Sequence, residues 1–135
     1  MTAGYSGTPL GEKIGLKRGM RCWFHNMPEE VRAALAPGHY GIDEQQAATE
    51  GLQCVWLFET DRARLERELA AAHQLIAHNG FIWVSWPKSA AGTETDISEG
   101  VVRDVALPRG LVDIKVCAVD DTWSGLKLVV RKQLR

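Results

Sequence analysis

Two almost unbroken apolar stretches, Leu52 to Phe58 (LQCVWLF) and Phe81 to Trp86 (FIWVSW), constrain this chain more than anything else in its sequence. A strand with one wet face alternates apolar and polar residues. A strand that is apolar at nearly every position has to be covered on both faces. Between the two runs, Leu65, Leu69, Ala72 and Ile76 recur at helical spacing and mark one buried stripe. Strand, helix, strand of this kind builds a parallel sheet sandwiched between helical layers.

The rest of the chain extends that pattern. Thr8-Pro9 opens a short helix with Leu10 and Ile14 on one face, Thr8 serving as cap, and Gly15 stops it. Met20 to His25 reads as the first strand. Asn26 and Glu29 have capping-box spacing at the start of a helix running to about Leu35, before Pro37-Gly38. A short strand is predicted at His39 to Ile42. Asn79-Gly80 is expected to end the helix that carries Leu65 and Leu69. Asp96 and Glu99 form a second capping-box pair, and Ile97, Val101 and Val105 give that helix its inward stripe, with Gly110 closing it. Val112 to Val119 and Leu126 to Arg131 are two strands joined by Asp120-Asp121-Thr122-Trp123-Ser124-Gly125, a segment rich in turn formers that reads as a hairpin.

The expected architecture is therefore α/β: a three-layer, Rossmann-like, mostly parallel sheet with a C-terminal antiparallel hairpin strand. Residues 1–135 form a single domain, with 1–18 as an N-terminal helical extension. Formal net charge is −1, which offers no electrostatic reason to expect nucleic acid or a membrane surface as partner. No apolar run has the length of a membrane span, and the first ten residues lack the basic-then-apolar order of a signal peptide, so a cytoplasmic location is expected. Cys22, Cys54 and Cys117 are dispersed inside apolar runs and read as reduced core thiols. No cysteine pair has zinc-ligand spacing, and His25, His39, His73 and His78 form neither HxxxH nor HExxH, so no metal site is expected.

The order of elements, ending in helix, strand, hairpin and antiparallel strand, resembles the class I SAM-dependent methyltransferase fold. Asn79-Gly80-Phe81-Ile82-Trp83-Val84-Ser85 looks like that family's glycine-then-strand element. The whole chain also resembles a family of small uncharacterised bacterial proteins of unknown function. The residues carrying that likeness are Gly4-Tyr5-Ser6-Gly7-Thr8-Pro9-Leu10, Trp83-Val84-Ser85-Trp86-Pro87-Lys88 and Val116 to Leu126. The methyltransferase likeness implies an S-adenosylmethionine site, and two departures speak against it. The turn after the first strand, Phe24-His25-Asn26-Met27-Pro28-Glu29-Glu30, has no glycine where a cofactor needs close backbone approach, and its acids repel a carboxylate. The nine residues between Ile42 and Leu52 cannot supply the helix, strand and helix that wall an adenine pocket, so the fold is shortened in the middle. Asp43 or Glu44 could mimic a ribose-binding acid, or be a solvated turn residue. No cofactor is expected.

Ligands of open parallel sheets bind beyond the carboxyl ends of the strands. That edge gathers His25 and Asn26 from the first strand, Glu59 and Thr60 from the Leu52–Phe58 strand, and Ser85, Trp86, Pro87 and Lys88 from the Phe81–Trp86 strand. The hairpin adds Asp120, Asp121, Trp123 and Ser124. His25, Asn26, Trp86, Lys88, Asp120, Asp121, Trp123 and Ser124 are the candidate ligand-binding residues, a polar pocket with aromatic walls. Each also has a plainer role: a rigid, even cis, turn at Trp86-Pro87, turn chemistry at Asp120, Asp121 and Ser124, core cover by Trp123, and an ion pair of Lys88 with Asp120 or Asp121. No nucleophile elbow, P-loop or Cys-His pair appears. The expected function is a non-catalytic binding or interaction domain, its partner a small molecule or a protein. The alternative is a small-molecule transferase using the strand-end pocket.

Overall fold

The computed structural model describes residues 7–132, so Gly4-Tyr5-Ser6 of the N-terminal motif lies outside the described residues. Six strands form one sheet in the order β2-β1-β3-β4-β6-β5. They are β1 (Arg21–His25), β2 (Asp43–Gln45), β3 (Leu52–Phe58), β4 (Ile76–Pro87), β5 (Leu111–Ala118) and β6 (Trp123–Val130). β2, β1, β3 and β4 run parallel, and β6 is antiparallel to both β4 and β5. The expected sheet, with its inverted hairpin strand, is the one observed.

Helices cover both faces. On one side α1 (Leu10–Ile14) and α2 (Glu29–Leu35) bury Leu10, Ile14, Val31 and Leu35 against Cys22, Cys54, Trp56, Phe58 and Trp83. On the other, α3 (Arg62–Leu75) and α4 (Glu99–Ala106) pack Leu65, Leu69, Val102 and Val105 onto Val55, Leu57, Ile82 and Val84. The two lists interleave along β3 and β4, as the pleat demands. This is why those strands read as continuous apolar runs.

Several local expectations are corrected. α2 is capped by Pro28, without a side-chain bond, because Asn26 sits at φ 58° and turns its amide elsewhere. α1 likewise starts after Pro9, not on a Thr8 cap. α4 is capped by Ser98, whose Oγ accepts from Val101 N at 3.2 Å, because Asp96 is spent accepting from Arg62 N at 2.7 Å. Its inward stripe is Val102, Val105 and Ala106, with Val101 half-buried. Residues 37–40 form a 3-10 turn and not a strand; the edge strand is β2, three residues further along, paired with β1 from Arg21↔Asp43 to Trp23↔Gln45. The Trp86–Pro87 bond is trans, as is every peptide among the described residues.

The largest correction concerns Asn79-Gly80. α3 stops at Leu75, Ile76 is already extended, and Asn79-Gly80 lies inside β4. The pairing of β3 with β4 slips between Leu52↔Ile76 and Cys54↔Phe81, so β4 bulges there. A Cβ on Gly80 would lie 3.0 Å from the carbonyl oxygens of Leu52 and Gln53 and 2.7 Å from Ile76 Cγ1. The glycine serves a close backbone approach at a bulge rather than a helix stop. Gly80→Ala is expected to cost about 1–3 kcal/mol through forced displacement of β3, read from the urea midpoint; an unchanged midpoint would contradict this.

Candidate functional site

β1 lies between β2 and β3, so the chain leaves it in one direction to β2 and returns across it to β3. That makes the carboxyl ends of β1 and β3 the switch point of the sheet, where open α/β folds place ligands. Side chains of the protein itself fill this position. Asn26 Nδ2 donates to Phe58 O at 3.3 Å and bridges the two strand ends. His25 Nε2 lies 3.0 Å from Glu68 Oε2, reaching across to α3. Glu59, first residue after β3, is only 3% exposed. Its Oε1 accepts from Thr60 N (2.9 Å), Asp61 N (3.3 Å) and Arg64 Nε (3.0 Å).

Glu59 and Glu68 face each other, and their protonation splits accordingly. Burial pushes the Glu68 carboxyl up, the neighbouring Glu59 charge adds to this, and the result is about 8 despite Arg64 and Arg67. Burial also pushes Glu59 upward, but hydrogen bonds from Glu68, Thr60 N, Arg64 and Asp61 N outweigh it and hold this group below its ordinary value. At neutral pH the two carboxyls therefore share one proton.

Beside this network a cleft of about 420 Å³ opens between the start of α3 and the segment before α4. Its lining is Thr60, Asp61, Arg64, Glu94, Thr95 and Asp96. Thr95 Oγ1 donates to Thr60 O at 2.6 Å and pins the segment against the strand end. Three acids against one arginine, itself paired with Glu59, leave the cleft negative.

The expected pocket residues divide among three places. His25 and Asn26 stand at the switch point. Trp86 is buried against the α3 and α4 side, while Trp123 packs on the opposite face, its ring 5.2 Å from that of Phe58 in an edge-on contact. The hairpin does reach the same edge: Trp123 pairs with Pro87, Ser124 with Trp86, and Lys88 N donates to Thr122 O at 2.7 Å. Asp120 Oδ1 accepts from Thr122 N and Trp123 N, both at 2.8 Å, which closes the turn. Asp121 is exposed. Lys88 forms no ion pair with Asp120 or Asp121. Ser85 is fully buried and accepts from Trp56 Nε1 at 2.8 Å. Glu44 is held by Arg32 through two hydrogen bonds of 3.1 and 2.6 Å, which commits its carboxylate to a protein partner. Glu68 and Arg64 were not expected. The available signal was Glu68 beside Leu69 and three residues after Leu65, an acid on the flank of a buried stripe.

The sequence model of a protein of unknown function, DUF3052, matches residues 21–132. The chain belongs to the DUF3052 family. No curated protein matches it. Solved structures do, several of them methyltransferases by name. OxaC bound to SAH and oxaline is similar at a TM-score of 0.63 and 10% identity, over 92% of this chain and 46% of that one. The N-methyltransferase NodS from Bradyrhizobium japonicum WM9 is similar at 0.57 and 12%, over 95% of this chain and 100% of that one. A ribosomal protein L11 methylase from Lactobacillus delbrueckii subsp. bulgaricus is similar at 0.55 and 9%, over 90% and 75%. The DUF3052 chain spans about half the length of the first of the structures it matches. Identities this low establish a shared fold, Rossmann-like and methyltransferase-like, and nothing of activity. No helix among the described residues is long and apolar enough to cross a membrane.

Proposed function

We propose that this DUF3052 chain is a non-catalytic binding domain on a methyltransferase framework, and that its strand-end cleft receives a positively charged ligand group. The observation that carries the reading is the switch point itself, where Asn26 bridges to Phe58 O and His25 meets Glu68. An adenosyl cofactor does not fit there. The turn after β1 presents Asn26 and not glycine, and α2 opens with Glu29 and Glu30. The carboxylate of S-adenosylmethionine would meet like charge in the adjoining cleft, at Asp61, Glu94 and Asp96. An ammonium or guanidinium group meets attraction instead. The partner is then a cationic small molecule or a basic protein segment, with neither nucleic acid nor membrane involved. The reading also puts the protein in a bacterial cytoplasm, supported by three buried, unpaired cysteines that suit a reducing compartment.

Thermal shift at low ionic strength tests it. S-adenosylmethionine and S-adenosylhomocysteine are expected to leave Tm unchanged, whereas spermidine raises it, less so in Glu94→Gln and Asp96→Asn. A ligand at a hundred times its Kd adds about 2.7 kcal/mol, a shift of several degrees in a domain of this size. A shift of that size with an adenosyl compound would overturn the proposal and revive the transferase alternative.

A further inference from the structure

Among the described residues, Glu59 and Ser85 are the buried polar side chains. Ser85 is satisfied by Trp56; Glu59 is satisfied on one oxygen only. With Oε1 taken by Thr60 N, Asp61 N and Arg64, Glu59 Oε2 is shut from solvent with no partner beyond the facing carboxyl, and so is Glu68 Oε1. Two orphaned carboxylate oxygens in one place are costly, and native structures rarely leave such groups uncompensated. His25 Nε2 stands beside them, and one ligand atom from each of His25, Glu59 and Glu68 lies within 4.8 Å of the others.

We propose that His25, Glu59 and Glu68 bind one divalent transition-metal ion, of the zinc class, that ties β1, β3 and α3 together. The donor set selects the class: an imidazole with two carboxylates suits zinc and its first-row neighbours, whereas magnesium and calcium prefer oxygen alone. Ligand bonds of about 2.0–2.2 Å put donor atoms about 3–4 Å apart, so the observed spread closes with side-chain movements below about an ångström. The surroundings are those of a held ligand. Two backbone N–H groups and the Arg64 guanidinium fix Glu59 through Oε1, which leaves Oε2 for the ion. Arg64 engages Oε1, and the ion supplies the partner that Oε2 needs. His25 and Glu68 are 32% and 17% exposed, so an ion can reach them from solvent. Sequence spacing gave no sign of it because the three ligands come from separate elements. Both readings use His25 and Glu68 at the switch point, but the cleft acids Asp61, Glu94 and Asp96 are not ligands here, so their substitution tests the cationic-ligand reading alone.

The full chain, stripped with chelator, is titrated with Zn²⁺ near neutral pH by calorimetry and thermal shift, with Co²⁺ as an absorption probe. One ion per chain is expected, with a rise in Tm and ligand-field bands from Co²⁺. Glu68→Gln and His25→Ala should each weaken binding by at least the roughly 10- to 100-fold that loss of an outer-shell partner costs. His73→Ala and His78→Ala should leave it unchanged. If Glu68→Gln fails to fold, His25→Ala and the Co²⁺ spectrum still read the site. Absence of stoichiometric binding, or binding indifferent to both His25 and Glu68, overturns the proposal and leaves the orphaned oxygens to a shared proton.

Discussion

Trp83→Ala is expected to lower the free energy of unfolding by about 3–5 kcal/mol, a third or more of what a domain of this size usually has. Trp83 stands in β4 with no solvent exposure, on the face covered by α1. Its Nε1 donates to Ile14 O at 2.9 Å, the carbonyl of the last residue of α1. On the neighbouring strand a Cβ at Gly125 would lie 3.2 Å from the indole, so the ring is packed directly against β6 backbone. Truncation opens a cavity that rigid strands cannot collapse into, and it orphans a helix-end carbonyl at once. Trp83→Phe keeps most of the volume and loses the bond, so it should cost less, about 1–2 kcal/mol. Urea unfolding measures both, and hydrogen exchange should show α1 opening first in either variant. An alanine variant within about 1 kcal/mol of the parent would show that this face is not tightly packed.

The burial of Trp56 and Trp83 was legible because apolar runs and helix periodicity report on covering, and covering is what fixes the layers. The same logic placed β3 residue for residue and the buried face of α3 at Leu65, Leu69 and Ala72. It failed where two local signals compete. Asn79-Gly80 has the chemistry of a helix end, yet the strand needed a glycine for a close approach to Leu52 and Gln53. Asn26 has the chemistry of a cap, yet its amide bridges to Phe58 O. The strand-end network was half visible. His25 and Glu59 could be placed on the edge from the alternation of elements, whereas Glu68 could not. Its role depends on how α3 rotates over the sheet, and that is settled by packing far from the residue itself.

That same carboxyl gives the second large effect. In metal-free protein, stability is expected to fall by about 2 kcal/mol between pH 5 and pH 8 on account of Glu68. The unfolded chain releases this proton near 4.5, whereas the folded chain holds it to about 8. Across that window the native state binds one more proton from this group than the unfolded state, so stability is full below 4.5 and is lost as pH rises. The size of the shift sets an upper bound of about 5 kcal/mol, and solvent access to a side chain 17% exposed reduces it. Glu59 acts in the opposite sense, since its folded value lies below 4.5: its contribution is present above that pH and disappears as pH falls through the folded value. The upper flank therefore belongs to Glu68 and the acid flank to Glu59. Arg64 and Arg67 of α3 oppose the upward shift without cancelling it. Glu68→Gln removes the titration and offers Glu59 Oε2 a permanent donor, so this variant should be nearly flat from pH 5 to 8. It should also exceed the parent by about 2 kcal/mol at pH 8. Urea curves in chelator at three pH values, for the parent and Glu68→Gln, measure this directly. A parent equally stable at both ends of the window, or a glutamine variant that declines as steeply, would mean that Glu59 and Glu68 do not share a proton.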